Sequence, residues 1–482
     1  MELKKVLQTI KKEDKNKSVY VVGGFVRDFL IFLKDNPKGE FTKLQTKDVD
    51  FVVLGSGIEF AKKLDKVFKE IGSLVLFEDF DTARYVFENG LEIEFAGARS
   101  EEYEKNTRKP IVSPTTLESD LSRRDFTVNA MALSVSDLLD GQITNIKDPF
   151  SGKKDLGNKI LRTPIDPNKT FFDDPLRMMR AVRFSSQLDF EIEEQTYKAI
   201  EKNAERLNII SKERISEELF KLLKTKKPSV GLWELYNTKL FDYFLPEIND
   251  LYGVEEVYGQ THKNNLDHTF KVVDNIAQYT DDVMLRFAAL MHDIGKPNTK
   301  KFTHDRGWTF DGHEMLGRKM VWNIGRRLRM KKTDIIYVAK LVRWHQHPIS
   351  LMDEAITDSA VRRLIVNAGE ELEGLLKLGR SDITTGNPTK KERRLKNYDF
   401  LEERIVDVIE KDKLRAFQSP VRGEEIMENC GLKPGPTVGK IKVAIEEAIL
   451  DGKTPNEHDI AYEYFLSIKD EYLRDAEDWE KA

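Results

Sequence analysis

The sequence predicts a multidomain, mainly α chain with an N-terminal α+β domain built on a small mixed sheet. Three observations carry this. Strand-like alternation is confined to the first third; long segments of helical periodicity follow from about residue 155; and 482 residues correspond to roughly three or four domains of 100–200 residues.

The strands come first. Ser18–Val22 is rich in β-formers and ends in Gly23-Gly24. Residues 47–54 alternate polar and apolar side chains. Arg84–Phe95 reads as a hairpin, because Asn89-Gly90 supplies the positive-φ turn between two alternating runs. Phe126–Val135 and Gln142–Ile146 are further candidates. Helical segments are expected at Asp174–Leu188, Lys212–Leu223, Asp282–His292 and Gly317–Met330. Pro420 and Gly423 open a last helical region, which carries a Gly-Leu-Lys-Pro-Gly-Pro turn at 431–436. No internal repeat is visible.

Composition narrows the function classes. Hydrophobic residues make up 40%, and 78 Lys and Arg face 83 Asp and Glu, a net charge of −5. A polyanion binder with this balance must gather its cations locally. The single cysteine, Cys430, excludes an intramolecular disulfide and a Cys-rich zinc site. The charged start lacks a secretory apolar core, and no apolar run approaches the ~20 residues that cross a bilayer. A cytoplasmic protein with no membrane partner is expected.

Three segments carry chemistry. In the first, Gly23-Gly24-Phe25-Val26-Arg27-Asp28 precedes Asp48-Val49-Asp50. Strand alternation puts Asp48 and Asp50 on one face. Paired carboxylates suit Mg²⁺, which shares its oxygen ligands with substrate phosphates, and two such ions can clamp an in-line displacement. The Gly-Gly turn brings backbone N–H groups toward a triphosphate at a helix N-terminus, where Arg27 adds charge. A solvated strand edge is the alternative for Asp-x-Asp alone. Glu92 and Glu94 share a face of a later strand, and either is a possible third carboxylate.

In the second segment, Arg123-Arg124-Asp125-Phe126-Thr127-Val128-Asn129-Ala130 sets two guanidinium groups beside an Asp and an Asn. Arginine binds phosphate, whereas Asp and Asn recognise ribose hydroxyls. A basic turn before a buried strand fits equally. In the third, Asp174-Pro175 opens a helix with Asp174 near the N-cap, and Arg177, Arg180 and Arg183 follow at i+3 spacing. Cytosine and adenine each present an amino donor beside a ring-nitrogen acceptor, so one Asp–Arg pair accepts both. Uracil and guanine reverse that pattern and leave charges unpaired. The plain alternative is an N-cap with a solvated basic face.

In this order and spacing the segments resemble the class II CCA-adding tRNA nucleotidyltransferases of the polymerase-β superfamily. The resemblance implies that Gly24, Arg27, Arg124 and Asp125 meet the nucleotide and that Asp48 and Asp50 hold Mg²⁺. Asp174, Arg177, Arg180 and Arg183 would then form a nucleotide-reading helix. Where the family usually has Glu-Asp, this chain has Asp173-Asp174. The segment from Ser211 with Glu218 and Lys221 is similar to the family's neck helix, for which the resemblance implies a structural role. Ala98–Asp120 resembles the loop needed for the final A, and Gly423–Gly452 resembles a tail that grips the tRNA elbow. The implied domains are a nucleotidyltransferase head at 1–155, an all-α neck at 156–255, an HD domain at 256–390 and a tRNA-binding tail at 391–482.

His268, His292-Asp293, His313, His345 and Asp382 follow the order of the HD phosphohydrolase pattern. Imidazole and carboxylate together suit Mn²⁺, Fe, Ni²⁺ or Co²⁺. No role is assigned to His262, His304 or His347. Arg318–Lys332 carries seven basic residues and no acidic one, which suits either an RNA-facing helix or a solvated face. The expected activity is transfer of CMP and AMP from CTP and ATP to tRNA 3′ ends. The HD site adds a phosphatase or 2′,3′-cyclic phosphodiesterase candidate. Alternatives are a poly(A) polymerase and an HD phosphohydrolase whose head only binds RNA.

Overall fold

The structure, a computed structural model, describes residues 2–44, 46–102, 111–261, 264–352, 356–412, 419–474 and 476–481. It divides into two compact units. The first comprises residues 1–249 and 327–329, the second 250–326 and 330–482.

The first unit is built on a six-stranded sheet of β1 (Val19–Val22), β2 (Asp48–Val53), β3 (Gly72–Phe77), β4 (Thr82–Phe87), β5 (Glu92–Gly97) and β6 (Ala132–Ser134). Their spatial order is β3-β4-β5-β2-β1-β6. Only β2 and β5 pair in parallel; the other neighbours are antiparallel, so the sheet is mixed. Alternation sorts the side chains of β2. Val49, Phe51 and Val53 enter the main core with Phe95 and Leu64, where the Phe51 and Phe95 rings stack at 4.9 Å. Each such buried side chain stabilises the sheet by about 1.5–3 kcal/mol. Asp48 and Asp50 are thereby turned to the opposite face, which carries a smaller cluster around Val22, Val52 and Ala132.

The expected hairpin forms around Gly90, at φ 80°. Strand β3 was not foreseen: its run Ser73–Phe77 is apolar at almost every position, although Leu74 and Leu76 pack inward while Val75 and Phe77 are exposed. Two expected strands shorten or vanish. Thr127–Asn129 is a 3₁₀ turn, held where the Asn129 amide donates to Asp125 Oδ1 at 2.9 Å; such local bonds compete with a strand ladder. Ile143–Asn145 is also a 3₁₀ turn. The Asn145 amide bonds Asp137 and Gln142 there, and only Lys147 pairs with Ala132.

The remainder is helical. Leu176–Leu188 packs on Lys212–Leu223 and Pro228–Asn237. In the second unit, Asn265–Ile276, Val283–Met291, Lys332–Trp344 and Leu372–Ser381 pack together. The final helices, Gly423–Cys430, Pro436–Leu450 and His458–Arg474, enclose their own cluster of Ile441, Ile445 and Phe465. Among the described residues no helix is long and apolar enough to cross a membrane.

Candidate active site and metal centre

The parallel register of β2 and β5 sets Asp48 beside Glu92 and Asp50 beside Glu94. Asp50 and Glu94 line a cavity of about 380 Å³ in the first unit. Arg84 on β4 reaches Glu94 at 3.0 Å and Glu92 at 3.6 Å. Water still reaches Asp50, but the surrounding walls strip much of its solvation and raise its carboxyl above the usual range. Glu94 and Asp48 push the same way, against the Arg124 guanidinium. A divalent cation would relieve that crowding, and hard carboxylate oxygens are the donors it prefers.

Gly23 holds φ 71° and ψ −139° at the N-cap of the Gly24–Asp35 helix, a conformation open to glycine. A Cβ there would stand 3.2 Å from Arg124 Nη1 and 3.6 Å from Asp50 Oδ2. The close approach therefore belongs to Gly23 more than to Gly24. Arg124 lines the cavity, and its buried Nε has no hydrogen-bond partner among the described residues. A guanidinium on the wall of a polar cavity is a binding feature for an anion. Asp120, fully buried, pins Arg123 at 2.8 Å and Arg124 at 3.5 Å. Burial alone would raise its carboxyl; the two guanidinium groups hold it below the usual range. Its i,i+3 and i,i+4 spacing was the available sequence signal.

Asp125 is the best-anchored carboxylate. It accepts from the Phe126 backbone N–H at 2.8 Å, from Asn129 at 2.9 Å, and from Arg180 Nε and Nη2 at 2.8 and 2.6 Å. Burial opposes ionisation, but Arg180, Asn129 and Arg177 outweigh it and hold Asp125 well below the usual range. Asp174 accepts from Leu176 N at 3.1 Å, starting the Leu176–Leu188 helix. Asp174, Arg177 and Arg180 all line the cavity. Arg214 and Lys221 reach it from the Lys212–Leu223 helix.

Four predicted residues lie outside the cavity lining: Gly24, Asp48, Arg27 and Arg183. Arg27 is buried and bonds Asp28 and Asn129, each at 2.8 Å. Arg183 bonds Glu218 and Gln187, each at 2.6 Å, and stacks 3.9 Å over Phe184. Of the Ala98–Asp120 segment, Arg99–Glu102 pairs with Ile111–Pro114; residues 103–110 lie outside the described residues.

The second unit gathers all six predicted HD residues. The ligand atoms of His268, His292 and Asp382 form one group, and those of Asp293, His313 and His345 another. Asp293 joins them. Its Oδ2 lies 3.2 Å from His292 Nε2 and 3.5 Å from His268 Nε2, while its Oδ1 is 3.6 Å from both His313 and His345 Nε2. Oδ1 is buried with no hydrogen-bond partner among the described residues. Three histidines point Nδ1 at the carbonyl of the third residue before them, at 2.7–2.8 Å. That contact fixes the N–H there and leaves each Nε2 lone pair facing the centre. His292, His345 and Asp382 each follow the last residue of a helix, the negative end of its dipole. This set of imidazole and carboxylate donors would suit a divalent metal, with the Asp293 carboxylate within reach of both groups.

Comparison with known proteins agrees with this division. Residues 19–162 match the Poly A polymerase head domain, 189–252 the probable RNA and SrmB-binding site of polymerase A, and 265–411 the HD domain. An A-adding tRNA nucleotidyltransferase of Deinococcus radiodurans is 33% identical over 355 residues, 71% of this chain and 78% of that protein. This chain belongs to the tRNA nucleotidyltransferase family. A CCA-adding enzyme of Ligilactobacillus salivarius is 27% identical over 98% of both chains. The fold is also that of the Bacillus stearothermophilus CCA-adding enzyme solved with CTP, with a TM-score of 0.67, 22% identity and 98% of both chains covered. Members with these head and HD domains are metal-dependent.

Proposed function

We propose that this chain adds CCA to tRNA 3′ ends, transferring CMP and AMP from CTP and ATP with release of pyrophosphate. One observation carries the reading: a single cavity holds Asp50 and Glu94 on one side and Arg124, Asp174, Arg177 and Arg180 around the rest. Asp48 and Asp50, with Glu94 as the third carboxylate, would hold Mg²⁺, which when bound polarises the reacting phosphate and shields both departing and attacking oxygens. Arg124 takes the triphosphate through its guanidinium on the cavity wall, and the Gly23 turn admits phosphate against the backbone. Asp125 stays ionised, held by Arg180 and Asn129, and accepts from a ribose hydroxyl. Asp174 accepts the exocyclic amino group of C or A while Arg177 donates to the neighbouring ring nitrogen. The residues position and neutralise; little covalent chemistry is asked of them. Head, neck, HD and tail would divide near residues 155, 255 and 390, with the tail binding tRNA by shape and phosphate, and the protein would work in the cytoplasm.

Incubating purified protein with a tRNA that ends before CCA tests this. CC is expected from CTP alone and CCA once ATP is added. Addition of A only to tRNA ending in CC would make it an A-adding enzyme, and long A tracts a poly(A) polymerase; either result overturns the proposal. A second activity is favoured by the Asp293 bridge between two ligand groups. The HD site would take Mn²⁺, Fe, Ni²⁺ or Co²⁺ and hydrolyse phosphate esters such as 2′,3′-cyclic AMP. Turnover with Ni²⁺ or Mn²⁺ no greater than that of His292→Ala would exclude it.

A further inference from the structure

The second unit has a groove with no part in either site. It lies between the His313–Arg327 and Lys332–Trp344 helices and measures about 210 Å³. Two indoles, Trp322 and Trp344, line it with Ala339 and the exposed Ile336. Neither indole N–H has a hydrogen-bond partner among the described residues. Cations ring these apolar walls. Arg343 lies 4.5 Å over Trp344 and Arg326 5.7 Å over Trp322, and Arg318 and Lys340 edge the groove. Glu314 offsets Arg343 and Glu371 offsets Lys340. Arg318, Lys319 and Arg326 have no acidic partner among the described residues, so the rim is net positive on a chain whose total charge is −5.

We propose that this groove binds single-stranded RNA, one unpaired base stacking on Trp322 beside Trp344, whose own ring already packs on His347 at 5.3 Å and Arg343 at 4.5 Å, while flanking phosphates meet Arg318 and Arg326. The match is in two parts. Flat apolar walls with free N–H donors suit a nucleobase, which has an aromatic face and acceptor edges. A cationic rim suits the phosphates on either side of it. An aliphatic peptide has no use for the cations, and a duplex offers no unpaired base. The choice of RNA rests on the tRNA-processing reading above and adds an RNA-holding surface outside the head cavity.

Fluorine NMR of the full chain labelled with 5-fluorotryptophan tests it. The five tryptophans give separate signals, assigned by single Trp→Phe variants. The probe is oligocytidylate of about eight nucleotides, added without nucleotide triphosphates. The Trp322 and Trp344 signals should move saturably, those of Trp233, Trp308 and Trp479 should stay, and added salt should weaken the titration. Trp322→Leu, followed at Trp344, should weaken binding about fivefold or more, Trp322→Phe should retain it, and the exposed Arg318→Glu should weaken it without unfolding. Stationary Trp322 and Trp344 signals overturn the proposal. So does an equal response to polyglutamate of matching charge, which would mark a protein-docking surface, or unchanged affinity in both Trp322→Leu and Arg318→Glu. CCA incorporation is a separate readout: its failure leaves this titration standing, and the reverse also holds.

Discussion

Arg183 continues the i+3 row that begins with Arg177, yet its environment is that of a structural ion. Its side chain is 9% exposed and that of Glu218 is 4% exposed, with 2.6 Å between Nε and Oε2. Burial lowers the Arg183 guanidinium despite Glu218, but a guanidinium starts so far above neutrality that it stays charged. For Glu218, burial would raise the carboxyl, and Arg183 with Arg180 and Lys221 brings it below the usual range. Arg183→Met keeps most of the volume and strands that carboxylate. Breaking a buried pair from one side costs about 3–5 kcal/mol. Lys221 remains 3.3 Å from Glu218 and is half exposed, so the low end, about 3 kcal/mol, is expected, equal to a roughly 150-fold larger opening constant.

Hydrogen exchange in peptides from Leu176–Leu188 and Lys212–Leu223 reads that constant locally. The pH dependence has a definite sign. In the wild type, a depressed Glu218 contributes stability above the ordinary carboxylate range, and that stability is lost as pH falls through its lowered value. In Arg183→Met the carboxyl loses its main counter-charge and its folded value rises. The variant's deficit is therefore greatest near neutrality and shrinks as pH falls and Glu218 takes a proton. Adding Glu218→Gln should recover most of the loss. A variant with unchanged exchange and altered preference among CTP, ATP and UTP would refute this assignment and return Arg183 to the reading of bases.

Four further outcomes follow from the two sites. Asp48→Asn with Asp50→Asn should lower nucleotidyl transfer at least about a thousandfold while filter-binding affinity for tRNA changes little. Gly23→Ala, forced to φ 71° against Arg124, should raise the KM for CTP and cost about 1 kcal/mol or more of stability in thermal unfolding. Removing the cavity-lining Arg177 by Arg177→Ala should reduce discrimination against UTP by about tenfold to a hundredfold, read as a ratio of kcat/KM values. At the HD centre, mass-spectrometric metal analysis should find two ions per chain; Asp293→Ala should lose both and His313→Ala one.

The head and its chemistry were legible because strand alternation is local. Once Val49 and Phe51 seek the core, Asp48 and Asp50 have no choice of face. The clustering of the six histidine and aspartate residues of the second unit was legible for a related reason, since residue type and order survive in the linear chain. Strand β3 was hidden because an almost uniformly apolar run has no period to read. Gln142–Ile146 misled because its side-chain amides bonded locally instead of leaving the backbone to pair. Sequence by itself determined which carboxylates, guanidinium groups and imidazoles the protein has to work with. Only the tertiary structure decided that Gly23, not Gly24, makes the close approach, that Arg183 spends its charge on Glu218, and that Asp293 faces two ligand groups at once. Those outcomes depend on which side chains from distant segments compete for the same buried partner, and spacing along a chain carries no record of that competition.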